Sequence, residues 1–168
     1  MTLIQTPRLR LRPRIPEDVQ SIITMDSDPE VRRFMGGPLD PEIHGKEVLA
    51  NIVVGRARHW SWAIELKDSA GFLGMCLLRP LEDTGFICMG WRLIRPYWGH
   101  GFATEASRAV LQQALGALAI DPVVAIVDPR NIASIRVAEK IGMRQVATAY
   151  HYSSEQVFFR ATAADLVA

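Results

Sequence analysis

The chain has 168 residues, of which 49% are hydrophobic and 22% charged, and its formal net charge is only +1. That length predicts a single domain spanning residues 1–168 with one active site, and the ordinary apolar fraction excludes a disordered chain. Cations and anions alternate along the whole sequence, which excludes the electrostatic footprint of a nucleic-acid binder.

No apolar run is long enough to cross a membrane, and the opening Thr2-Leu3-Ile4-Gln5-Thr6-Pro7-Arg8 lacks the apolar stretch of a secretion signal. A soluble, cytoplasmic protein with no membrane partner is expected. Cys76 and Cys88 form no C-x-x-C pair, and His44, His59, His100 and His151 are widely separated. No metal site is therefore expected.

A first strand is expected over residues 8–13, then a helix from Pro16, where Val19, Ile22 and Ile23 recur at helical spacing. Asp28-Pro29 and Asp40-Pro41 each supply an N-cap acid followed by a proline suited to the first helical position. The helix opened by the second pair is expected to carry Val48, Leu49, Ile52 and Val53 on one apolar face and to stop at Gly55. Strands over 60–66, 72–78 and 86–93 follow, joined by Asp68-Ser69-Ala70-Gly71 and Glu82-Asp83-Thr84-Gly85, which have turn chemistry and predict an antiparallel meander. After Gly101 the period becomes helical, with Val110, Leu111, Ala114, Leu115 and Leu118 on one side. A β-branched strand at 123–127, a helix over 131–141 stopped by Gly142, and strands near 144–150 and 156–161 complete a mixed α/β pattern with no internal repeat.

Chemistry concentrates in Gly90-Trp91-Arg92-Leu93-Ile94-Arg95-Pro96-Tyr97-Trp98-Gly99-His100-Gly101-Phe102-Ala103-Thr104-Glu105-Ala106, which joins a strand to a helix through glycines. Glycine admits backbone conformations closed to other residues, and the free N–H groups of a helix start attract phosphate. The glycines alone fit a tight strand-to-helix connection equally well. The segment has neither the Gly-Lys-Ser/Thr ending of a P-loop nor the G-x-G-x-x-G of a dinucleotide fold.

This segment resembles the GNAT superfamily of N-acetyltransferases, particularly its RimJ/RimL-like branch. Trp98-Gly99-His100-Gly101-Phe102-Ala103 is similar to the family's Q/R-x-x-G-x-G/A loop, with Trp98 at the Gln/Arg position. Asn131-Ile132-Ala133-Ser134-Ile135-Arg136-Val137-Ala138-Glu139-Lys140-Ile141-Gly142-Met143 looks like the later coenzyme-contacting helix, and Thr6-Pro7-Arg8-Leu9-Arg10-Leu11-Arg12 like the branch's first strand.

The resemblance implies a mostly antiparallel, twisted central sheet flanked by helices, with a coenzyme cleft where two central strands splay. It implies acetyl-CoA as acetyl donor, a primary amine as acceptor, and dimers as a frequent assembly. Backbone groups of Trp91, Arg92 and Leu93 would line the pantetheine and acetyl groups. Trp98, Gly99, His100, Gly101, Phe102 and Ala103 would hold the pyrophosphate, and Asn131 would contact the pantetheine arm. Ser134 would sit near the thiol as a candidate general acid. By position alone Asn131 is equally a helix N-cap. Tyr97, Trp98, Trp60, Trp62 and Trp91 are read as packing residues, and Arg95, Arg130 and Arg136 receive no assigned contact.

Two positions depart from the pattern. Cys88 stands where the branch often has an acid two residues before the central-strand glycine, and Ala138 stands where the superfamily often has an acid tyrosine. The general base is therefore left unassigned. Without a neighbouring histidine signature, Cys88 and Cys76 read as small strand hydrophobes rather than nucleophiles. Direct transfer follows, and the missing carboxylate favours an acceptor of low pKa. Deprotonating lysine near pH 7.4 costs about 4 kcal/mol, against well under about 1 kcal/mol for an α-amine. The other reading of the missing carboxylate is a base elsewhere in the chain, and the acceptor that the RimJ/RimL-like resemblance implies is a protein or peptide N-terminus. The alternatives are a small-molecule amine or antibiotic, or a non-catalytic CoA-binding regulatory domain.

Overall fold

The computed structural model describes residues 2–37, 39–54, 57–69, 71–82, 84–151 and 153–166, with Leu166 as backbone only. One eight-stranded sheet organises the chain. Its strands are β1 (Ile4–Gln5), β2 (Leu9–Pro13), β3 (Trp60–Leu66), β4 (Phe72–Pro80), β5 (Ile87–Leu93), β6 (Val123–Val127), β7 (Arg144–His151) and β8 (Ser154–Ala161). The helices are α1 (Val19–Asp26), α2 (Pro29–Arg32), α3 (Pro41–Val53), α4 (Phe102–Leu115) and α5 (Ile132–Lys140). The sheet order is β1-β2-β3-β4-β5-β6-β8-β7, and among the described residues only the central β5–β6 pair is parallel. This is the mixed fold, mostly antiparallel with flanking helices, that the resemblance implied.

Alternation along the strands sends one set of side chains to each face. On one face Leu9, Leu11, Trp62, Ile64, Cys76, Leu78 and Met89 pack with Ala106, Val110, Leu111 and Ala114 of α4 and Ala138 of α5. Trp62 is only 1% exposed, and full burial of a side chain this large contributes on the order of 3 kcal/mol. On the other face Met75 packs with Met25 of α1 and Val31 of α2, with Phe72, Leu77 and Ile94 around them.

Local chemistry sets the helix ends. Asp40 accepts from the Glu42 and Ile43 amides, and Asp28 from the Glu30 amide, so both Asp-Pro pairs cap helices as expected. Asn131 caps α5 by accepting from the Ser134 amide at 3.1 Å. Gly142, at φ 97°, follows its last turn.

Several expectations need correction. The helix after Gly101 ends at Leu115, because Gly116 takes a non-helical conformation, and Leu118 reaches the core from the turn beyond. The third meander strand begins at Ile87 rather than Phe86, whose ring packs edge-on against Phe158. On α3 only Gly45 and Val48 are buried, whereas Leu49 and Val53 are 41% and 66% exposed. The reason is that α3 rests on α1 and not on the sheet: a Cβ at Gly45 would lie 2.8 Å from Ile23 Cδ1. The expected stop at Gly55 lies outside the described residues, as do Ala70 and Asp83 within the two turns. Strand β1 and the 3₁₀ turns Pro16–Asp18, Arg95–Tyr97 and Ala163–Leu166 had no signal in the periodicity.

Candidate active site

Strands β5 and β6 pair only at Ile87–Val123 and Cys88–Val124. Beyond that point β6 follows β8, while β5 continues to Leu93 beside β4 alone. The two central strands therefore part, leaving one edge of residues 89–93 without a strand partner and its backbone groups available to a ligand. Gly74 makes this course possible. A Cβ there would collide with the Arg92 carbonyl oxygen and lie 2.7 Å from Leu93 Cα, so only glycine lets β4 approach β5 at this point.

At the end of β5 the chain passes through a 3₁₀ turn into the glycine loop. The Trp98 indole donates to the Leu93 carbonyl at 2.7 Å and fastens the loop to the strand end. His100 Nδ1 lies 2.8 Å from the Trp98 carbonyl, and its ring stacks on Phe102 with centroids 5.8 Å apart. Gly99 and Gly101 both take the left-handed conformation, at φ 78° and 79°, and nothing lies within 4 Å of the Cβ position at Gly99. Gly101 is the N-cap of α4 and provides no side-chain cap, so the first-turn amides of Phe102, Ala103 and Thr104 are free to receive an anion. The residues fit a pyrophosphate: exposed left-handed glycines, uncapped amides and a 14-residue helix behind them.

Arg8 and Glu105 hold this loop, a role that sequence reasoning missed. Glu105 accepts from the Thr6 hydroxyl at 2.6 Å, the Arg8 amide at 2.9 Å and Arg8 Nε at 2.6 Å. Arg8 Nη1 donates to the His100 carbonyl, and its guanidinium lies 4.4 Å from the Phe102 ring centre. Partial burial pushes the Glu105 carboxyl up, but the bonds from Thr6 and Arg8 outweigh it and hold the group below its ordinary value. The Thr6-Pro7-Arg8 string was the available signal.

The remaining expected residues fall on either side of the parted strands. Trp91 packs toward the core face with α4, while Arg92 turns to the opposite face and meets Asp26 of α1. The Asn131 amide oxygen is engaged as the N-cap, and Ser134 is half-buried in the first turn of α5. Arg33, Phe34, Arg130, Asn131, Ile132 and Ala133 line an open pocket of about 340 Å³ between the end of α2 and the start of α5. Ala138 is wholly buried in the core and does not line this pocket.

Neither cysteine is set up as a nucleophile. Burial pushes the Cys76 thiol up to about 12 against the Ser107 hydroxyl, and burial also raises Cys88 against the Ile126 backbone and Arg79. Both thiols are free and buried. Among the described residues no group of three His, Cys, Asp or Glu side chains could hold a metal ion, and no helix is long and apolar enough to cross a membrane.

Beneath α1 and α3 lies a buried polar centre. Asp26, 2% exposed, receives Arg92 Nη2 at 2.9 Å and faces His44 Nε2 at 2.8 Å, both on Oδ2. Burial pushes the Arg92 guanidinium below its ordinary value against the pull of Asp26, and Arg32, Arg14 and Arg79 add to the downward push. Burial likewise lowers Arg14, opposed by Asp18 and Asp26. Nearby, Arg12 grips Asp18 through two nitrogens and reaches Glu65 at 2.8 Å. Losing one partner of such a buried charge pair costs about 3–5 kcal/mol.

The parted strands, the open glycine loop and the capped helix are where the resemblance leads one to expect the coenzyme. The model of the acetyltransferase (GNAT) domain matches residues 8–144, and the chain belongs to that family. It is 34% identical over 156 residues to YkkB, an uncharacterised protein of Bacillus subtilis strain 168, which covers 90% of this chain and 87% of the relative. Among solved structures, an acetyltransferase from Agrobacterium tumefaciens strain C58 superposes with a TM-score of 0.82 at 26% identity, covering 96% of this chain and 94% of the other. The fold is also that of the aminoglycoside acetyltransferase AAC(6')-Ib, solved in complex with coenzyme A, with a TM-score of 0.81 at 15% identity over 95% of this chain and 97% of the other. The protein is thus an N-acetyltransferase with acetyl-CoA as cosubstrate.

Proposed function

We propose that the acceptor is the N-terminal α-amine of a protein or peptide, attacked directly in a ternary complex in the manner of the RimJ/RimL-like branch. The observation that carries the reading is the parting of β5 and β6 after Cys88 and Val124. Helices α4 and α5 pack on one face of the sheet and α1 and α2 on the other, so donor and acceptor would reach the opening from different faces. Acetyl-CoA supplies an activated thioester. Backbone groups of Trp91, Arg92 and Leu93 would align its acyl arm, and the loop from Trp98 through Gly99, His100, Gly101 and Phe102 to Ala103 would fix its pyrophosphate. Asn131 would offer its free amide nitrogen to the pantetheine, and Ser134 would donate a proton to the departing thiolate.

Two observations favour an α-amine. Cys88 is buried with a raised pKa and supplies no carboxylate base, so an α-amine, of which roughly a fifth to a third is neutral near pH 7.4, has a lower barrier than lysine. Arg92 contacts Asp26, and Arg14, Arg32 and Arg79 lie close enough to act electrostatically on Arg92, a cationic surrounding that repels a polycationic antibiotic. A cytoplasmic setting agrees with the two free, buried thiols.

The test is acetyl transfer to peptides that offer either a free α-amine or a free lysine amine, located by mass spectrometry. Acetyl on the α-amine is the expected result. A protein that binds acetyl-CoA yet acetylates neither peptide amine would instead act on a small-molecule amine or be a CoA-binding regulatory domain.

A further inference from the structure

In the centre beneath α1 and α3, Asp26 Oδ1 and Arg92 Nε are buried without a hydrogen-bond partner, and so is Nε of Arg14, whose charge acts on both Asp26 and Arg92. Leaving such atoms unmet is costly, and native structures do so chiefly where a ligand or water completes the set. Asp26 is 2% exposed and spends its other oxygen on Arg92 and His44. Arg92 belongs to the stretch of β5 that has left β6, so its backbone lies along the cleft while its side chain enters this centre. Its strand partner Met75 packs against Met25 and Val31, which places the centre under α1 and α2 and opposite α4. The unmet groups are one anionic acceptor and two guanidinium donors. An ammonium or amine would satisfy the first, and a carboxylate would satisfy the others, since guanidinium matches that group in shape and charge.

We propose that Asp26, Arg92 and Arg14 form the acceptor subsite of this enzyme and select an amine that also carries a carboxylate. The amine donates to Asp26 Oδ1 and the carboxylate accepts from the two guanidinium groups. Arg32 and Arg79 add positive potential around Arg92 without being required as contacts. Nothing larger than the ligand's own polar groups has to be desolvated, because the protein groups are already buried. The proposal rests on the acetyl-transfer reading above and narrows its acceptor. The carboxylate has two possible sources, an acidic residue at a peptide N-terminus or a free amino acid.

The test compares acids with their primary amides: glycine, β-alanine and 4-aminobutanoate as small amines, and Glu-Ala-Ala against Gln-Ala-Ala, both with amidated C-termini, as peptides. Release of the coenzyme thiol gives kcat/KM, and calorimetry on the CoA-loaded protein gives Kd. At least one acid is expected to exceed its amide by about tenfold or more in both, mostly through KM. Preference confined to the peptide pair assigns an acidic N-terminus, and preference among the small amines assigns a free amino acid. Arg92→Gln and Arg14→Gln should each reduce the acid-to-amide ratio to about threefold or less. That ratio does not depend on the folded fraction, and Arg14→Gln, which leaves Asp26 paired, carries the test if Arg92→Gln does not fold. Turnover of amines with acid and amide within twofold would overturn the subsite while leaving acetyl transfer intact, the three atoms then being met by water. A preference that persists in both variants would also overturn it. Tighter binding of the acid without turnover of any amine would support the subsite and overturn the catalytic reading.

Discussion

Arg8 and Glu105, 97 residues apart in sequence, meet at 2.6 Å and join the first long strand to the helix that opens on the glycine loop. Because Glu105 also accepts from the Thr6 hydroxyl and the Arg8 amide, its carboxylate serves as a clamp rather than a simple surface pair. Glu105→Gln keeps the shape and removes the charge. We expect several-fold weaker acetyl-CoA binding and a melting temperature lower by about 2–4 °C for each kcal/mol lost, read by calorimetry and thermal unfolding. Arg8 is half exposed, so the loss should be on the order of 1 kcal/mol.

The same carboxylate sets an acid dependence. Its folded-state pKa lies below the ordinary value of 4.5, so its contribution is complete above that value and is lost as pH falls through the folded pKa. Asp18, held below 3.8 by Arg12 and the Ile15 amide against its burial, acts in the same direction. Unfolding free energy should decline as the solution is taken below about pH 4.5, and Glu105→Gln should flatten the upper part of that decline. Equal slopes in parent and variant would remove Glu105 from the account.

Much of this architecture could be read in the sequence. Asp40-Pro41 and Asp28-Pro29 announced helix starts because a cap is local, and the meander from Trp60 to Leu93 showed through its turn residues. The parted strands were expected only through resemblance, since a missing pairing leaves no mark on periodicity. Three features were out of reach because each is a meeting of distant residues: Gly74 against Arg92, Arg8 against Glu105, and Asp26 with His44 and Arg92. The α3 face misled for the same reason, since an apolar stripe does not say which neighbour covers it.

Gly74→Ala puts a methyl group against the Arg92 carbonyl and Leu93 Cα, so β5 must shift where it borders the cleft. A destabilisation of about 1–3 kcal/mol is expected, with a loss of coenzyme affinity beyond that of equally destabilised variants elsewhere. Denaturant unfolding and calorimetry together check this. Unchanged affinity would mean that β5 geometry at Leu93 does not matter to the ligand.

Cys88→Ala should cost about 1 kcal/mol and leave a substantial fraction of turnover, since burial keeps the thiol protonated. No acetyl adduct should appear on Cys88 by mass spectrometry. An adduct together with complete loss of activity in the variant would establish a covalent route.

Ser134 caps nothing through its hydroxyl in the bonds described, while its amide is held by Asn131. If the hydroxyl protonates the departing thiolate, Ser134→Ala should lower turnover at saturating acetyl-CoA by about tenfold or more with little change in coenzyme affinity. Turnover within twofold of the parent would make the residue structural.

The most direct measurement of the central claim, that the loop from Gly99 to Ala103 beside the parted strands is the acetyl-CoA site, is a calorimetric titration of acetyl-CoA into the parent and Gly101→Val. Gly101 sits at φ 79° with its amide at the head of α4, so a β-branched residue strains the backbone and crowds the anion's approach. Affinity should fall by at least about a hundredfold in a variant that keeps its circular dichroism and a cooperative melt. Unchanged affinity in that folded variant would contradict the account.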